Sequence, residues 1–170
     1  MKYYFKLFML LPVGLTTAII IYPFVHETSH SICALLFGAD IVNFALFPLP
    51  NVTCNSSALS ALQLFFIAVG GPLIPFILSV AIRSTNFWIN YIKGLMIGIS
   101  SLSFVISILG FLFDWKIVKE QDDIVRCASL LPNGVTISII ICSIGIAVAI
   151  CELVRMKKSH NCHKYFEYVK

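Results

Sequence analysis

Apolar residues in this chain come in long blocks. Four blocks, at residues 7–37, 58–82, 94–113 and 135–154, are interrupted by short polar connections. Neither the three-four spacing of an amphipathic helix nor the alternation of a half-buried strand divides them into wet and dry faces. Each is close to or above the roughly 20 residues that cross a bilayer core, so each predicts a membrane-spanning helix. Within lipid the backbone must satisfy its own polar groups, which demands helical spans. The expected fold is an all-α integral membrane protein of about four helices in one bundle, followed by a basic tail at 155–170. The length suits a single domain.

The first block is too long. About 31 residues at about 1.5 Å each make a helix of roughly 46 Å, half as long again as the hydrocarbon core. Either it tilts strongly or it kinks near Pro23, which cannot donate a backbone hydrogen bond. A removable leader ending near Thr16–Ala18 is the competing reading; apolar residues continue well past that point, so a retained span is preferred.

Composition strengthens this picture. The chain has 170 residues, 59% hydrophobic and 12% charged, with a mean hydropathy of +0.93, far too little charge for a soluble domain. The net charge of +4 comes from basic residues beside the spans, so it argues for a membrane boundary and not for nucleic acid. Lys2 and Lys6 precede the first span, Arg83 and Lys93 bracket the loop between the second and third, and the tail holds Arg155, Lys157, Lys158, Lys164 and Lys170. The connection at 38–57 has no Lys or Arg, while that at 114–134 mixes both signs. A multi-pass protein with both termini cytoplasmic follows from the positive-inside rule. Of six scattered cysteines, Cys54 and Cys127 fall in connections that share one side, where a disulfide is one option. His160-Asn-Cys-His163 offers metal-ligating atoms too close together to close a site, and reads as part of a solvated tail.

Against this background, His26-Glu27-Thr28-Ser29-His30 stands out: half of the four histidines lie in five residues of an apolar span. On a helix, residues four apart share a face, so both imidazoles can address one metal ion with the glutamate beside them. Two neutral imidazoles suit zinc, and a glutamate so placed can take a proton from metal-activated water and pass it to a leaving amine. The motif arises by chance in roughly 0.2% of shuffled chains of this composition. A glutamate in a span also costs about 2.5–3.5 kcal/mol or more, which marks it as functional by default. The bland alternative is a position at the lipid–water interface.

Two histidines hold zinc poorly, and no other histidine lies near the spans, so a carboxylate or cysteine must complete the set. Asp114, Asp122 and Asp123 are the carboxylate candidates on the side where the first span ends. Adjacent aspartates point about 100° apart on a helix, so one of the 122–123 pair can ligate while the other caps or orients. Cys33, one turn from His30, is read as packing.

On these residues the chain resembles the site-2 protease-type intramembrane zinc metalloproteases. "FVHETSHSICALLFGADI" is similar to that family's active-site helix, "IAVGGPLIPFILSVAI" to its later Gly-Pro span through Gly71 and Pro72, and "FDWKIVKEQDDIVRCASL" to the segment that supplies an aspartate ligand. The likeness runs over residues 14–134. The chain departs from the pattern at Ser29, where the family usually has glycine, at Pro75, where it often has asparagine, and at Asp122-Asp123, where it has Asp-Gly. The resemblance implies zinc (Zn2+) held by His26, His30 and either Asp122 or Asp123, with Glu27 as general base and then acid and Asp114 as a helix-end cap or supporting residue. It implies hydrolysis of a transmembrane or membrane-associated protein substrate. Gly71 and Pro72 would either meet an extended substrate or let helices pack closely, packing being preferred. A non-catalytic pseudo-protease or metal-bound scaffold is the alternative. A metal-ion transporter is disfavoured, because the other spans offer no line of polar residues.

Overall fold

The computed structural model describes residues 2–47 and 50–158, and among them the chain is mostly helical. Helix α1 (Lys2–Thr16) passes through a wide π-helical turn (Thr17–Ile21) directly into α2 (Tyr22–Leu36). A hairpin of β1 (Ile41–Ala45) and β2 (Asn51–Cys54) follows, then α3 (Ala61–Ala81), α4 (Phe87–Phe113), two short helices α5 (Lys116–Gln121) and α6 (Asp123–Ala128), and α7 (Gly134–Lys158). Four stretches are long and apolar enough to cross a membrane: Leu7–Leu36, Ala61–Ala81, Phe87–Phe113 and Gly134–Lys157.

The π turn answers the problem of the overlong first block. Pro23 sits in the first turn of α2, and the Tyr22 N–H reaches back five residues to the Thr17 carbonyl. Proline has no N–H, and its ring would collide with the carbonyl four residues earlier, so the chain widens by one residue to go round it. Just past the end of α2, Gly38 turns the chain with a φ of +80°, which is open to glycine at little cost. Its N–H donates to Leu35 O, and the Ala39 N–H to Ala34 O.

Two differences from the sequence reading have clear causes. The connection at 38–57 is not irregular: Ile41 pairs with Cys54, Asn43 with Thr53, Phe44 with Val52 and Ala45 with Asn51, antiparallel, with a bulge between Ile41 and Asn43. The fold is therefore helical with a β-hairpin, not all-α; the strands are so short that no alternating pattern announces them. The third span begins at Phe87, not near residue 94. Asn86 caps it through hydrogen bonds from the N–H groups of Trp88 and Ile89. Lys93, read as a loop-flanking charge, is 2% exposed inside α4, paired with Glu152 of α7. An apolar block ends at a lysine only when that lysine is solvated, and here a buried carboxylate takes the place of water.

The core lies between α3, α4, α6 and α7. Phe65, Val69 and Phe76 from α3 meet Ile97 and Phe104 from α4, Ile124 and Ala128 from α6, and Cys142 and Ala149 from α7. α2 packs chiefly on α3, while many large apolar side chains, among them Leu11, Ile19, Phe66, Leu102 and Ile140, face outward. Such a surface suits a lipid environment. α3 starts in a capping box in which Ser60 Oγ accepts from the Gln63 N–H and the Gln63 side chain accepts from the Ser60 N–H.

Candidate metal centre

His26 and His30 lie one turn apart on α2, so their rings share a face: the Nε2 atoms are 3.1 Å apart and the ring planes are tilted by 79°. That face is turned toward α3. His30 Nδ1 donates to the carbonyl of Ile67 at 2.7 Å. A carbonyl can only accept, so this bond places the proton on Nδ1 and leaves His30 Nε2 as a lone pair in the neutral ring. Gly71 makes the approach feasible. A Cβ on Gly71 would collide with His30 Nε2 and Cε1, and would lie 2.9 Å from His26 Cε1. The glycine thus removes the one atom that would push α3 off both rings.

Asp123 arrives from α6. Its Oδ2 is 3.4 Å from His30 Nε2, and its Oδ1 accepts from Arg126 Nη2 at 2.8 Å. His26, His30 and Asp123 offer three ligand atoms, all within 4.8 Å of one another. Burial alone would push the Asp123 carboxyl up. Interactions with His30, Arg126 and His26, the histidines acting when their rings are protonated, outweigh burial and hold it below the ordinary carboxylate value.

Asp122, its neighbour, is directed elsewhere. Its Oδ1 accepts from the Val125 N–H, capping α6, and its Oδ2 accepts from Ser107 Oγ on α4. Burial raises its carboxyl against the pull of those hydrogen bonds. The two aspartates therefore divide in the way adjacent helical positions allow: one faces the histidines and the other holds the helix. Asp114 is outside the cluster. It ends α4 in the left-handed region at φ 52°, is largely exposed, and forms an ion pair with Lys119.

Two cavities flank the cluster. The larger, about 520 Å³, is bordered by Glu27, His30 and Asp123 on one side and by β2 from Asn51 to Cys54 on the other. The smaller, about 170 Å³, lies against His26, Pro72, Ser103 and Asp122. Glu27 thus borders the same space as His30 and Asp123. Pro72 supplies no N–H, so the Ala68 carbonyl, on the wall of the larger cavity, has no helical donor four residues on. Cys54 and Cys127 both line this cavity as free thiols, without the disulfide that their shared side allowed. Cys33 packs against Gly70, where a Cβ would come within 2.5 Å of its Sγ. His160 and His163 lie outside the described residues.

The donor set fits a divalent ion of the zinc type. At bond lengths of about 2.0–2.1 Å, tetrahedral ligand atoms stand roughly 3.3–3.4 Å apart, and both short separations here approach that spacing. Two neutral imidazole acceptors this close repel unless a cation or a proton lies between them. The buried Nδ1 of His26 has no hydrogen-bond partner among the described residues.

Three participants were not picked out from the sequence. Ile67 acts through its backbone carbonyl, which no side-chain pattern encodes. Ser107 is one of many serines on α4. Arg126 carried a weak signal, since it stands three residues after Asp123, where helical neighbours meet. Compared with family models, with curated proteins and with solved structures, the chain matches none.

Proposed function

We propose that the chain is a zinc-dependent peptidase working within or at the edge of the membrane, with His26, His30 and Asp123 as the metal ligands and Glu27 as the proton carrier. The observation that carries this reading is the convergence of three ligand atoms within 4.8 Å, one of them held in the ligating tautomer by the Ile67 carbonyl. Three protein ligands with an open position are the arrangement of a hydrolytic zinc site rather than a closed structural one. Zinc bound there would make water nucleophilic at neutral pH and polarise a peptide carbonyl.

The remaining work belongs to the chain. The Ile67 carbonyl fixes the His30 ring and its tautomer. Arg126 engages one oxygen of Asp123 and leaves the other toward the histidines. Glu27, bordering the larger cavity, accepts a proton from the attacking water and returns it to the departing amine. A helical substrate has its amides covered and already bonded, so the scissile segment must enter extended. Ala68, whose carbonyl Pro72 deprives of its helical donor, borders the space such a segment would enter.

The deciding experiment compares wild type with Glu27→Gln, both purified in detergent, for bound zinc by elemental analysis and for cleavage of a transmembrane test peptide. Zinc near one per chain in both, with cleavage at least about 10²-fold lower in the variant, is the expected result. Zinc in both with no cleavage by wild type would favour the metal-bound scaffold, and no zinc in either would end the proposal.

A further inference from the structure

At the opposite end of the bundle from the metal centre, the loop joining α3 to α4 and the last turns of α7 enclose a second cavity of about 500 Å³. It is bordered by Arg83, Ser84, Thr85, Asn90, Lys93 and Arg155. One carboxylate serves all three cations. Glu152, 6% exposed, pairs with Lys93, with Arg155, and with Arg83 Nη1 at 3.4 Å. Lys93 is consumed by this arrangement: it is 2% exposed and also donates to the Ile82 carbonyl at 2.8 Å. The two arginines are not consumed. Arg83 and Arg155 remain 59% and 50% exposed, and a guanidinium carries five N–H donors, of which the carboxylate engages one or two. Three cations against one anion leave two positive charges on this cavity among the described residues.

We propose that this cavity is a binding site for a phosphate group carried by an anionic phospholipid. Charge and chemistry point to phosphate: guanidinium forks bind it bidentately, and the polar residues Ser84 and Thr85 border the same space. Depth points to lipid. Apolar spans stop at Ala81 and Lys157, and another begins at Phe87, so the cavity lies where the hydrocarbon ends and headgroups begin. A zwitterionic headgroup brings its own ammonium toward two unneutralised arginines, so the site selects lipids with net negative charge. Glu152 acts from beneath as a fixed counter-charge that holds the cations in place without neutralising them all.

The test uses the full chain in a neutral detergent, with dioctanoyl phosphatidylglycerol, dioctanoyl phosphatidylcholine and sodium phosphate as separate probes at matched ionic strength. Binding is read by native mass spectrometry and by the thermal midpoint. The expected result is saturable one-to-one binding of phosphatidylglycerol with a raised midpoint, and neither effect from phosphatidylcholine. Arg83→Gln and Arg155→Gln should each weaken that binding roughly fivefold. Arg83→Lys, which keeps the charge but loses the fork, should fall between wild type and Arg83→Gln, while Lys116→Gln at the other end of the bundle should keep the wild-type affinity. Equal binding of the two lipids, or full affinity in an Arg83→Gln/Arg155→Gln double variant, would overturn the proposal. Saturation by sodium phosphate at the same concentration, lost in the double variant, would overturn the lipid assignment and give the cavity to a free phosphate.

Discussion

A single peptide bond separates Asp122, whose carboxylate holds the start of α6 and the Ser107 hydroxyl, from Asp123, whose carboxylate lies between His30 and Arg126. Substitution should therefore separate two losses. Asp123→Asn is expected to abolish stoichiometric zinc while leaving the fold in place. Asp122→Asn keeps a capping side chain and should retain zinc, whereas Asp122→Ala should cost about 1 kcal/mol or more of stability with the cap removed. Elemental analysis together with thermal unfolding in detergent distinguishes the outcomes, and zinc lost only in the position-122 variants would reverse the assignment. Gly71 offers a second test. Gly71→Ala forces a methyl into both histidine rings, so about 1–3 kcal/mol of stability and much of the metal affinity should be lost. Gly98→Ala on the outer face of α4 meets nothing within 4 Å and should be neutral or stabilising, because alanine is the better helix former.

The elements show why some parts could be read from the sequence and others could not. An apolar block declares a spanning helix through its own residues, and the spacing of His26 and His30 needs nothing beyond helicity. The π turn before Pro23 is also local in origin, since a missing N–H and a ring clash act on the preceding turn. It predicts that Pro23→Ala, which restores the N–H and removes the ring clash, should let the wide turn relax into ordinary α-helix. α2 would stay in register because His30 is held by Ile67 and both rings rest on Gly71, while α1 is tied to α4 by the Tyr91 hydroxyl donating to Leu10 O. Zinc content near that of wild type is the expected reading, and its loss would show that the turn sets the register of the site. The hairpin gave no such warning. Its two strands are held by each other and by the walls of the larger cavity, not by a periodic pattern of their own.

Across the bundle the polar chemistry separates to its two ends: His26, His30 and Asp123 where α2, α6 and the hairpin meet, and Lys93, Glu152, Arg83 and Arg155 where α3, α4 and α7 end or begin. The second group sets a large stability term. Glu152→Gln strands Lys93 at 2% exposure and should destabilise by about 3–5 kcal/mol, whereas Lys93→Met with Glu152→Leu removes both buried charges and should unfold no more easily than wild type. Thermal midpoints in one detergent compare the three proteins; a double variant as weak as the single one would mean that the pair itself, not the uncompensated charge, holds this end together.

Helical character, the four spans and the two-histidine motif could be read from the chain because each depends on residues within a turn or a block of one another. Three things emerged only from the packed structure. Asp123, not Asp122, faces His30; a backbone carbonyl of Ile67 chooses the tautomer; and Lys93 belongs inside a helix because Glu152 lies opposite it. Each depends on groups far apart in sequence, and a carboxylate, a carbonyl or a lysine carries no mark of its partner. Only when α6 is docked on α3, so that Asp123 reaches His30 of α2, and α7 is docked on α4, do these groups meet in a medium dry enough for the meeting to decide what they do.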